Sequence, residues 1–542
     1  MTCLASDKPS LDWKAFTPEE LTLKESATYS GVGAIVLDWE VFRDDQENFA
    51  TFYGRIKLFS DAGKDNGNIE IPFVKDVTEI KDIQARTIHA DGTIIPFTGS
   101  VFEKTIVKSR QIRYLAKTFS MPDVQSGSIL EYRYRVTWGS SKLFDSHWDL
   151  QQHLPVRHER FQIRPYSHSS LRWYGTVPGG KPLVKGDGNV FTLELADMPP
   201  YNPEAYSPPE RETKAEVDLY YFRSTYSDTN KFWEHIGTDW AEWPDSFVGN
   251  RGFVHSLAAS LVQPNDPPET KLRKLYVRVQ QIRNLTYEHQ LTSEEIKQAK
   301  LKDNSNVEDV VKHNWGFNRS INLVYLGLVR AAGFEAHEVA LSPRRDRFFH
   351  PEIEDSGQLT WNVVEVKVGD QYRYFDPGTK YCPFGLLHWT GTGVAGLRLQ
   401  KEGGVLIKTP DPVSDAAIVE RKATIHWSEE ATKGELTVTY RGQEALIKRL
   451  TDVLEDDNER RKDLEDEAKA WLPAASTVKL NNVTGWQSTD EPLVATFVIE
   501  IPNFGVSTAQ RLILPLDIFS SRTHPAFQYD KRKFPVYFSY PY

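Results

Sequence analysis

The stretch His313–Leu341, HNWGFNRSINLVYLGLVRAAGFEAHEVAL, decides the fold of the centre of this chain. After Asn318, apolar residues recur at the helical spacing i, i+3, i+4, i+7 and i+11, namely Ile321, Val324, Tyr325, Leu328 and Ala332. Further apolar residues fill the flanks, so the helix is expected to be buried nearly all round. Gly333 follows as a left-handed stop, and Glu335–Leu341 is predicted to be a strand. The pattern predicts a loop, a buried helix and a strand in succession.

Asn318 lies immediately before the apolar periodicity, where asparagine is among the best N-cap residues and contributes about 1 kcal/mol. A helix start is also where a cysteine becomes a nucleophile, because free N–H groups and the helix dipole stabilise a thiolate. A carboxamide is not a useful nucleophile at neutral pH. The residue at this position therefore suits structure better than covalent catalysis.

Composition narrows the class of protein. A length of 542 residues indicates three or four domains, and 39% hydrophobic residues are ample for packed cores. The net charge of −10 argues against nucleic-acid binding. We find no run of about 20 apolar residues that could span a bilayer and no secretion leader at the start as written.

The two cysteines, Cys3 and Cys382, exclude a disulfide framework. Cys3 could be the lipid-bearing cysteine of a processed lipoprotein, although an incidental thiol is the simpler interpretation. Neither CxxC nor HExxH spacing occurs, so we expect no metal and no cofactor. The oligomeric state is left open.

Residues 1–20 are predicted to be an N-terminal tail, and residues 21–200 an antiparallel β-sandwich. In GSILEYRYRVTW (Gly127–Trp138) aromatic and apolar residues alternate with charged ones, which predicts a strand with one buried face. The dipeptide Asp91-Gly92 between two apolar runs predicts a hairpin.

Residues 201–225 are predicted to be a linker, because PPYNPEAYSPPERET (Pro199–Thr213) is rich in proline and lacks apolar periodicity. Residues 226–400 combine helical and strand patterns in an α/β domain, and residues 401–542 return to strands. One amphipathic helix is predicted over Thr451–Pro473, with Val453, Leu454, Leu464, Ala468 and Trp471 available for its buried stripe. Its many charges are expected to face water. The fold class is therefore α+β, with three domains.

Two segments, GFNRSINLVYLGLVRAAGFEA and LTWNVVEVKVGDQYRYFDPGTKYCPFGLL, resemble the core of bacterial transglutaminase-like domains, which have the cysteine-protease-like (papain-like) fold. Such domains read G-x-C, then an apolar helix ending R-A-A-G, then a strand opening N-H-V and a strand ending D-P. The segments ARTIHADGTIIPF, KTFSMPDVQSGSILEYRYRVTW and HLPVRHERFQIRPY resemble the β-rich domain of unknown function that precedes such domains in bacterial extracytoplasmic proteins.

The resemblance places the nucleophile position of the family on Asn318 and the histidine position on Asn362. The third position, Asp376, keeps its aspartate. In an active enzyme cysteine attacks, histidine carries the proton and aspartate orients the imidazole. With the first two positions occupied by asparagine, the resemblance implies a degenerate triad. We expect Asp376 to bond Asn362 or a backbone amide, or to begin a turn with Pro377-Gly378.

Two further groups of residues near this region are candidate sites. Cys382 and His388 could form a relocated thiol–base pair, although Cys382 precedes a proline and lacks a helix start to lower its pKa. His313 is expected to bond the loop backbone. Four aromatic residues lie near the triad positions in sequence and are candidate ligand-binding residues, although each could equally belong to the core: Trp315, Phe317, Trp361 and Trp389.

The sequence thus predicts a catalytically inactive transglutaminase-like protein that binds a peptide, protein or glycan. The resemblance alone implies a periplasmic or cell-surface location, and a cytoplasmic one is left open. The alternatives are an active thiol hydrolase or acyltransferase using Cys382 and His388, and a structural spacer between two β domains.

Overall fold

The structure, a computed structural model, describes residues 13–108, 113–139, 146–222, 228–289, 302–508, 510–515, 517–519, 527 and 530–539. Cys3 lies outside them. The chain forms two compact units, an N-terminal unit of residues 1–203 with 213–225 and a C-terminal unit of residues 204–212 with 226–542. The predicted α+β class is confirmed. In the described residues no helix has the length and apolar character needed to cross a membrane.

The helices of the described residues are, in chain order, α1 (Pro18–Thr22), α2 (Glu210–Thr213), α3 (Thr229–Val248), α4 (Arg251–Leu261), α5 (Pro268–Gln280), α6 (Val307–His313), α7 (Asn318–Ala331), α8 (Gln443–Thr451) and α9 (Asp457–Trp471).

The strands of the N-terminal unit form one large and two small sheets. They are β1 (Ala34–Asp44), β2 (Phe49–Leu58), β3 (Asn68–Val74), β4 (Thr78–Ile88), β5 (Ile94–Pro96), β6 (Phe102–Lys108), β7 (Arg113–Ser120), β8 (Ile129–Trp138), β9 (Ser146–Asp149), β10 (Val156–Arg164), β11 (Ser170–Gly175), β12 (Val184–Lys185), β13 (Phe191–Met198) and β14 (Glu216–Phe222). The large sheet has the order β12-β13-β10-β1-β2-β8-β4-β5, and the small sheets have the orders β3-β7-β6 and β11-β14-β9. Within the large sheet β1 and β10 pair in parallel and the other neighbours are antiparallel.

Strand β14 lies inside the predicted linker 201–225. Its backbone pairs with β11 and β9, and Val217 and Leu219 are buried. The prolines of this region stop before Glu210, so they do not prevent a strand beyond that point. Only the first part of the segment therefore has the irregular structure expected of a linker.

Strand β8 shows the predicted alternation, but both of its faces are covered. On one face Tyr134 is buried and stacks on Phe52, with ring centroids 4.7 Å apart. On the other face the charged Glu131 is fully buried as well. The prediction of a single buried face is wrong, because residues 13–23 pack over the polar side.

The polar face is held by charge pairing. The Glu131 carboxylate accepts from Arg55 Nε at 2.8 Å and Arg86 Nε at 2.5 Å. Arg55 also donates to the backbone oxygens of Lys14 at 2.8 Å and Ala15 at 3.2 Å. Because a buried guanidinium must be paired, Arg55 anchors this part of the predicted tail to the sheet.

We expect Glu131→Ala to lower the free energy of unfolding of the N-terminal unit by about 3–5 kcal/mol, because Arg55 and Arg86 would lose a buried partner. Urea titration measures the loss. The control is Glu103→Ala, which removes an exposed pair with Lys117 and should cost less than about 1 kcal/mol. Equal losses for the two variants would contradict this account.

The strands of the C-terminal unit are β15 (Arg283–Asn284), β16 (Trp315–Gly316), β17 (Ala336–Leu341), β18 (Trp361–Val368), β19 (Gln371–Phe375), β20 (Ala395–Arg398), β21 (Val405–Lys408), β22 (Ala417–His426), β23 (Ala431–Gly442), β24 (Thr477–Thr484), β25 (Leu493–Pro502), β26 (Val506–Thr508) and β27 (Arg511–Ile513). Its two larger sheets have the orders β19-β18-β17-β20-β21 and β22-β23-β25-β24.

Helix α7 packs against the first of these sheets. Its residues from Ile321 to Val329 are buried, as the sequence predicts, and pack against α4, α5, α6 and β18. Gly333 has φ +93°, the left-handed conformation expected just beyond the helix end. The buried helix therefore fixes the strands on which the predicted site residues lie.

The amphipathic helix of the tail is shorter than predicted. Helix α9 begins at Asp457, with Asp456 as its N-cap, so Val453 and Leu454 lie in the turn before it. Leu464, Ala468 and Trp471 form the buried stripe as expected. The aspartate cap ends the helical pattern earlier than the apolar residues alone suggest.

Candidate functional site

Asn318 is the first residue of α7 rather than its N-cap. The cap position is Phe317, whose N–H donates to Ser320 Oγ at 2.8 Å. The Asn318 side chain instead accepts from the Thr286 hydroxyl at 3.0 Å, and Thr286 Oγ1 accepts from the Asn318 N–H at the same distance. The predicted capping bond is wrong because a serine two positions later satisfies the helix start.

Asn362 and Asp376 lie close to this helix on β18 and just after β19. Val364 and Val366 pack against α7, so Asn362, two residues before Val364, lies on the same face of β18. Asp376 is buried at the end of β19. Both residues are thus adjacent to the helix that begins at Asn318.

One residue that the sequence analysis missed, Asn322, links these positions. Its Nδ2 donates to the backbone oxygen of Asn362 at 2.8 Å and to Asp376 Oδ1 at 2.9 Å. Its Oδ1 accepts from the Gly378 N–H at 2.7 Å. An asparagine in the middle of an otherwise apolar helix is the signal that could have revealed it, because a buried amide requires partners.

Gly378 brings the turn after β19 against the helix start. A Cβ at this position would lie 2.2 Å from the Asn318 carbonyl oxygen, so only glycine permits this approach. Asn284, also missed from the sequence, donates from Nδ2 to the Gly378 oxygen at 2.7 Å. The region around Asn318 and Asp376 is therefore tightly packed.

The Asp376 carboxylate has a full set of donors. Besides Asn322, it accepts from Trp361 Nε1 at 3.3 Å, from Thr379 Oγ1 at 2.5 Å and from the Thr379 N–H at 3.1 Å. Burial raises the pKa of Asp376, and the bonds from Thr379, Asn322 and Trp361 oppose that rise. Four donors occupy the oxygens that would have to orient a catalytic imidazole.

The Cys382 sulfur interacts with the backbone of His388, whereas the side chains of the two residues have different hydrogen-bond partners. The fully buried Cys382 thiol donates to the Leu386 oxygen at 3.1 Å, and His388 Nδ1 contacts Thr390 Oγ1 at 2.8 Å. Burial raises the pKa of Cys382 well above its ordinary value, and burial lowers the pKa of His388 to about 4. Among the hydrogen bonds of the described residues none joins the thiol to the imidazole ring, so this arrangement does not generate a thiolate.

The four candidate aromatic residues have different contacts. Trp315 is buried and meets Phe317 edge to face, with centroids 6.0 Å apart. Trp361 donates to Asp376, as described above, and Trp389 lies 5.7 Å from the Arg344 guanidinium. A ligand-binding role for these four residues stays a prediction.

His313, the remaining residue near the helix mouth, does not bond the loop backbone as expected. Its Nδ1 contacts the side-chain oxygen of Asn304 at 2.6 Å.

The N-terminal unit contains a cavity that the sequence analysis did not predict. Its volume is about 790 Å³, within the range of small-ligand sites. Its wall is mainly aromatic and aliphatic and includes side chains from β1, β2, β8, β9 and β10: Trp39, Val41, Phe52, Val136, Trp138, Trp148 and Phe161. Such a lining suits an apolar or aromatic group.

Polar residues line part of the same cavity. Asp149 lies 2.8 Å from Lys214 Nζ and 3.6 Å from His147 Nε2. Burial raises the pKa of Asp149, but hydrogen bonds from His147 and Lys214 and the charge of Lys214 lower it to about 2. All three residues line the cavity. An occupant could therefore combine an apolar body with a polar or charged group.

A comparison with known protein families matches part of the chain. Residues 45–202 match the family described as "Domain of Unknown Function with solved-structure structure (DUF3857)". This match covers less than half of the chain. No curated protein matches it.

Among solved structures the chain is similar to the crystal structure, at 2.00 Å resolution, of "a putative protease" from Parabacteroides distasonis ATCC 8503. The identity is 12% and the TM-score 0.48, and the similarity covers 90% of this chain and 95% of that one. At this level the similarity does not transfer protease activity to this chain.

We expect Asn322→Ala to lower the free energy of unfolding by about 3 kcal/mol, because the Gly378 N–H and the Asp376 carboxylate would lose a buried partner. Asn318→Ala, which removes only the exposed bond to Thr286, should cost about 1 kcal/mol or less. Urea titration of both variants measures the difference. A larger loss for Asn318→Ala would contradict the central role of Asn322.

Proposed function

We propose that this protein is a catalytically inactive relative of transglutaminase-like enzymes and works by binding a ligand. The observation that carries the proposal is the saturated Asp376 carboxylate, with asparagine at the neighbouring positions 318 and 362. An acyl-transfer mechanism needs a nucleophile and a base where these carboxamides stand. In this proposal the region around Asn318, Asn362 and Asp376 has a structural role and no catalytic one.

The order of elements supports the relationship to this class of enzyme. As in the family pattern, a buried helix is followed by an adjacent strand and then by a strand that precedes Asp376-Pro377. The proposed domains are a β-rich N-terminal domain over 21–200, a transglutaminase-like domain over 226–400 and a β-rich domain over 401–542. An extracytoplasmic location belongs to the same proposal and rests on the family resemblance.

We place the ligand in the aromatic cavity of the N-terminal unit rather than beside Asn318. The region around Asn318 is filled by Gly378 and its bonds to Asn284 and Asn322, whereas the cavity offers space and an apolar wall. Aromatic side chains stack on sugar rings and hold apolar peptide side chains. The proposed ligand is therefore a peptide, protein segment or glycan that inserts an apolar group.

We expect neither the wild-type chain nor Asn318→Cys to incorporate dansylcadaverine into casein or to cleave fluorescent casein, because the base position is also vacant. Iodoacetamide labelling read by peptide mass spectrometry serves as the control for access. The introduced thiol should react within minutes, and Cys382 only after denaturation. Wild-type turnover that disappears in Cys382→Ala would instead establish the thiol enzyme.

We expect the dye 1-anilinonaphthalene-8-sulfonate to bind the cavity saturably, with an increase in fluorescence. Val77→Trp, which introduces a larger side chain at a half-buried lining position, should weaken this binding at least tenfold. The control Val184→Trp makes the same substitution at an exposed position on β12 that does not line the cavity and should leave it unchanged. Equal binding by all three proteins, or none, would favour the structural-spacer alternative.

A further inference from the structure

The turn between α8 and α9 brings three carboxylates together. Asp452, at the end of α8, Glu455, in the turn, and Asp463, on α9, each have an oxygen within 4.8 Å of the others'. The turn is held by the Glu455 N–H, which donates to the Asp452 backbone oxygen at 3.2 Å. Charged residues here were expected only to face water, so their convergence is unexpected.

Asp452 is the residue that points to a ligand. Its side chain is 1% exposed, and both of its carboxylate oxygens are buried without a hydrogen-bond donor. Glu455 Oε2 is likewise buried and unbonded. An ionised carboxylate buried in this way loses hydration that no hydrogen bond replaces, so its charge must be compensated by a nearby cation.

The cations near Asp452 also interact with other groups. Lys448 Nζ lies 3.7 Å from Asp452 but only 3.1 Å from Glu467, a fourth acidic residue. Arg460 donates to the backbone oxygens of Asp452 and Val453 rather than to the carboxylates, and pairs with the exposed Asp457. Lys448 is therefore shared between Asp452 and Glu467.

The three carboxylates also repel one another, because one oxygen of each lies within 4.8 Å of the others. A bound cation relieves repulsion of this kind.

We propose that Asp452, Glu455 and Asp463 bind a Ca²⁺ ion between α8 and α9. Oxygens that lie within 4.8 Å of one another can contact a single ion at a typical Ca–O distance of about 2.4 Å. All three ligands are hard oxygen donors, and a turn adapts to the irregular geometry that Ca²⁺ accepts better than Mg²⁺ does. Water would complete the coordination.

The site would fasten the start of α9 to the end of α8. Helix α9 packs on the sheet β22-β23-β25-β24 through Leu464, Ala468 and Trp471. Because the ion would bind the folded turn and not the separated residues, it should stabilise this part of the chain. The proposal is independent of the proposed ligand-binding function.

The test uses the full chain, freed of metal by chelation and titrated with CaCl₂ at pH 7.5 by isothermal titration calorimetry. Wild type should bind Ca²⁺ saturably and more tightly than Mg²⁺. Asp452→Asn and Glu455→Gln should each weaken binding at least tenfold. Asp466→Asn, the same charge change at an exposed position on α9, should stay within twofold.

Thermal unfolding separates a lost ion from a damaged fold. Without metal at pH 8, Asp452→Asn should unfold at a higher temperature than wild type, because it no longer buries an uncompensated charge. With CaCl₂ only wild type and Asp466→Asn should gain several degrees. Unchanged Ca²⁺ affinity in Asp452→Asn, a destabilised metal-free Asp452→Asn, or tighter binding of Mg²⁺ would each overturn the proposal.

Discussion

The central part of this protein depends on the buried amide of Asn322. Three bonds from this side chain join α7 to β18 and to the turn after β19. The Gly378 N–H and the Asp376 carboxylate are buried, so a shift of the helix would leave buried polar groups with fewer hydrogen bonds. The positions of Asn318, Asn362 and Asp376 follow from this joint.

Buried carboxylates organise other parts of the fold in two different ways. Glu131 and Asp376 are surrounded by donors, and each holds a peripheral segment in place: residues 13–23 over the sheet, and the turn that ends at Thr379. Asp452 is as deeply buried but lacks donors to its carboxylate. Since desolvating a charge is costly unless it is paired, Glu131 and Asp376 have a structural role, and Asp452 is the basis of the proposed Ca²⁺ site.

The same reasoning separates the two regions considered for function. Around Asp376 the carboxylate accepts from four donors, and Gly378 closely approaches the start of α7. The cavity of the N-terminal unit has the opposite character, with aromatic walls and a charged edge around open volume. The proposed function therefore assigns a structural role to the first region and ligand binding to the second.

The sequence by itself determined those features that depend on local pattern. The apolar period of α7 predicted that the helix is buried, and Gly333 predicted where it ends. Asp91-Gly92 predicted the turn between β4 and β5, and the alternation in β8 predicted that its two faces differ. The scarcity of cysteine and the presence of asparagine at positions 318 and 362 likewise follow from the sequence alone.

Only the tertiary structure decided which side chains meet. Four features depend on packing between elements: the bonds from Asn322 to Asn362 and Asp376, the position of Glu131 beneath residues 13–23, the cavity in the N-terminal unit, and the convergence of Asp452 with Asp463. The physical reason is that burial and hydrogen bonding of a polar side chain are set by neighbours distant in the chain. A local pattern specifies the face a residue occupies, but not what covers that face.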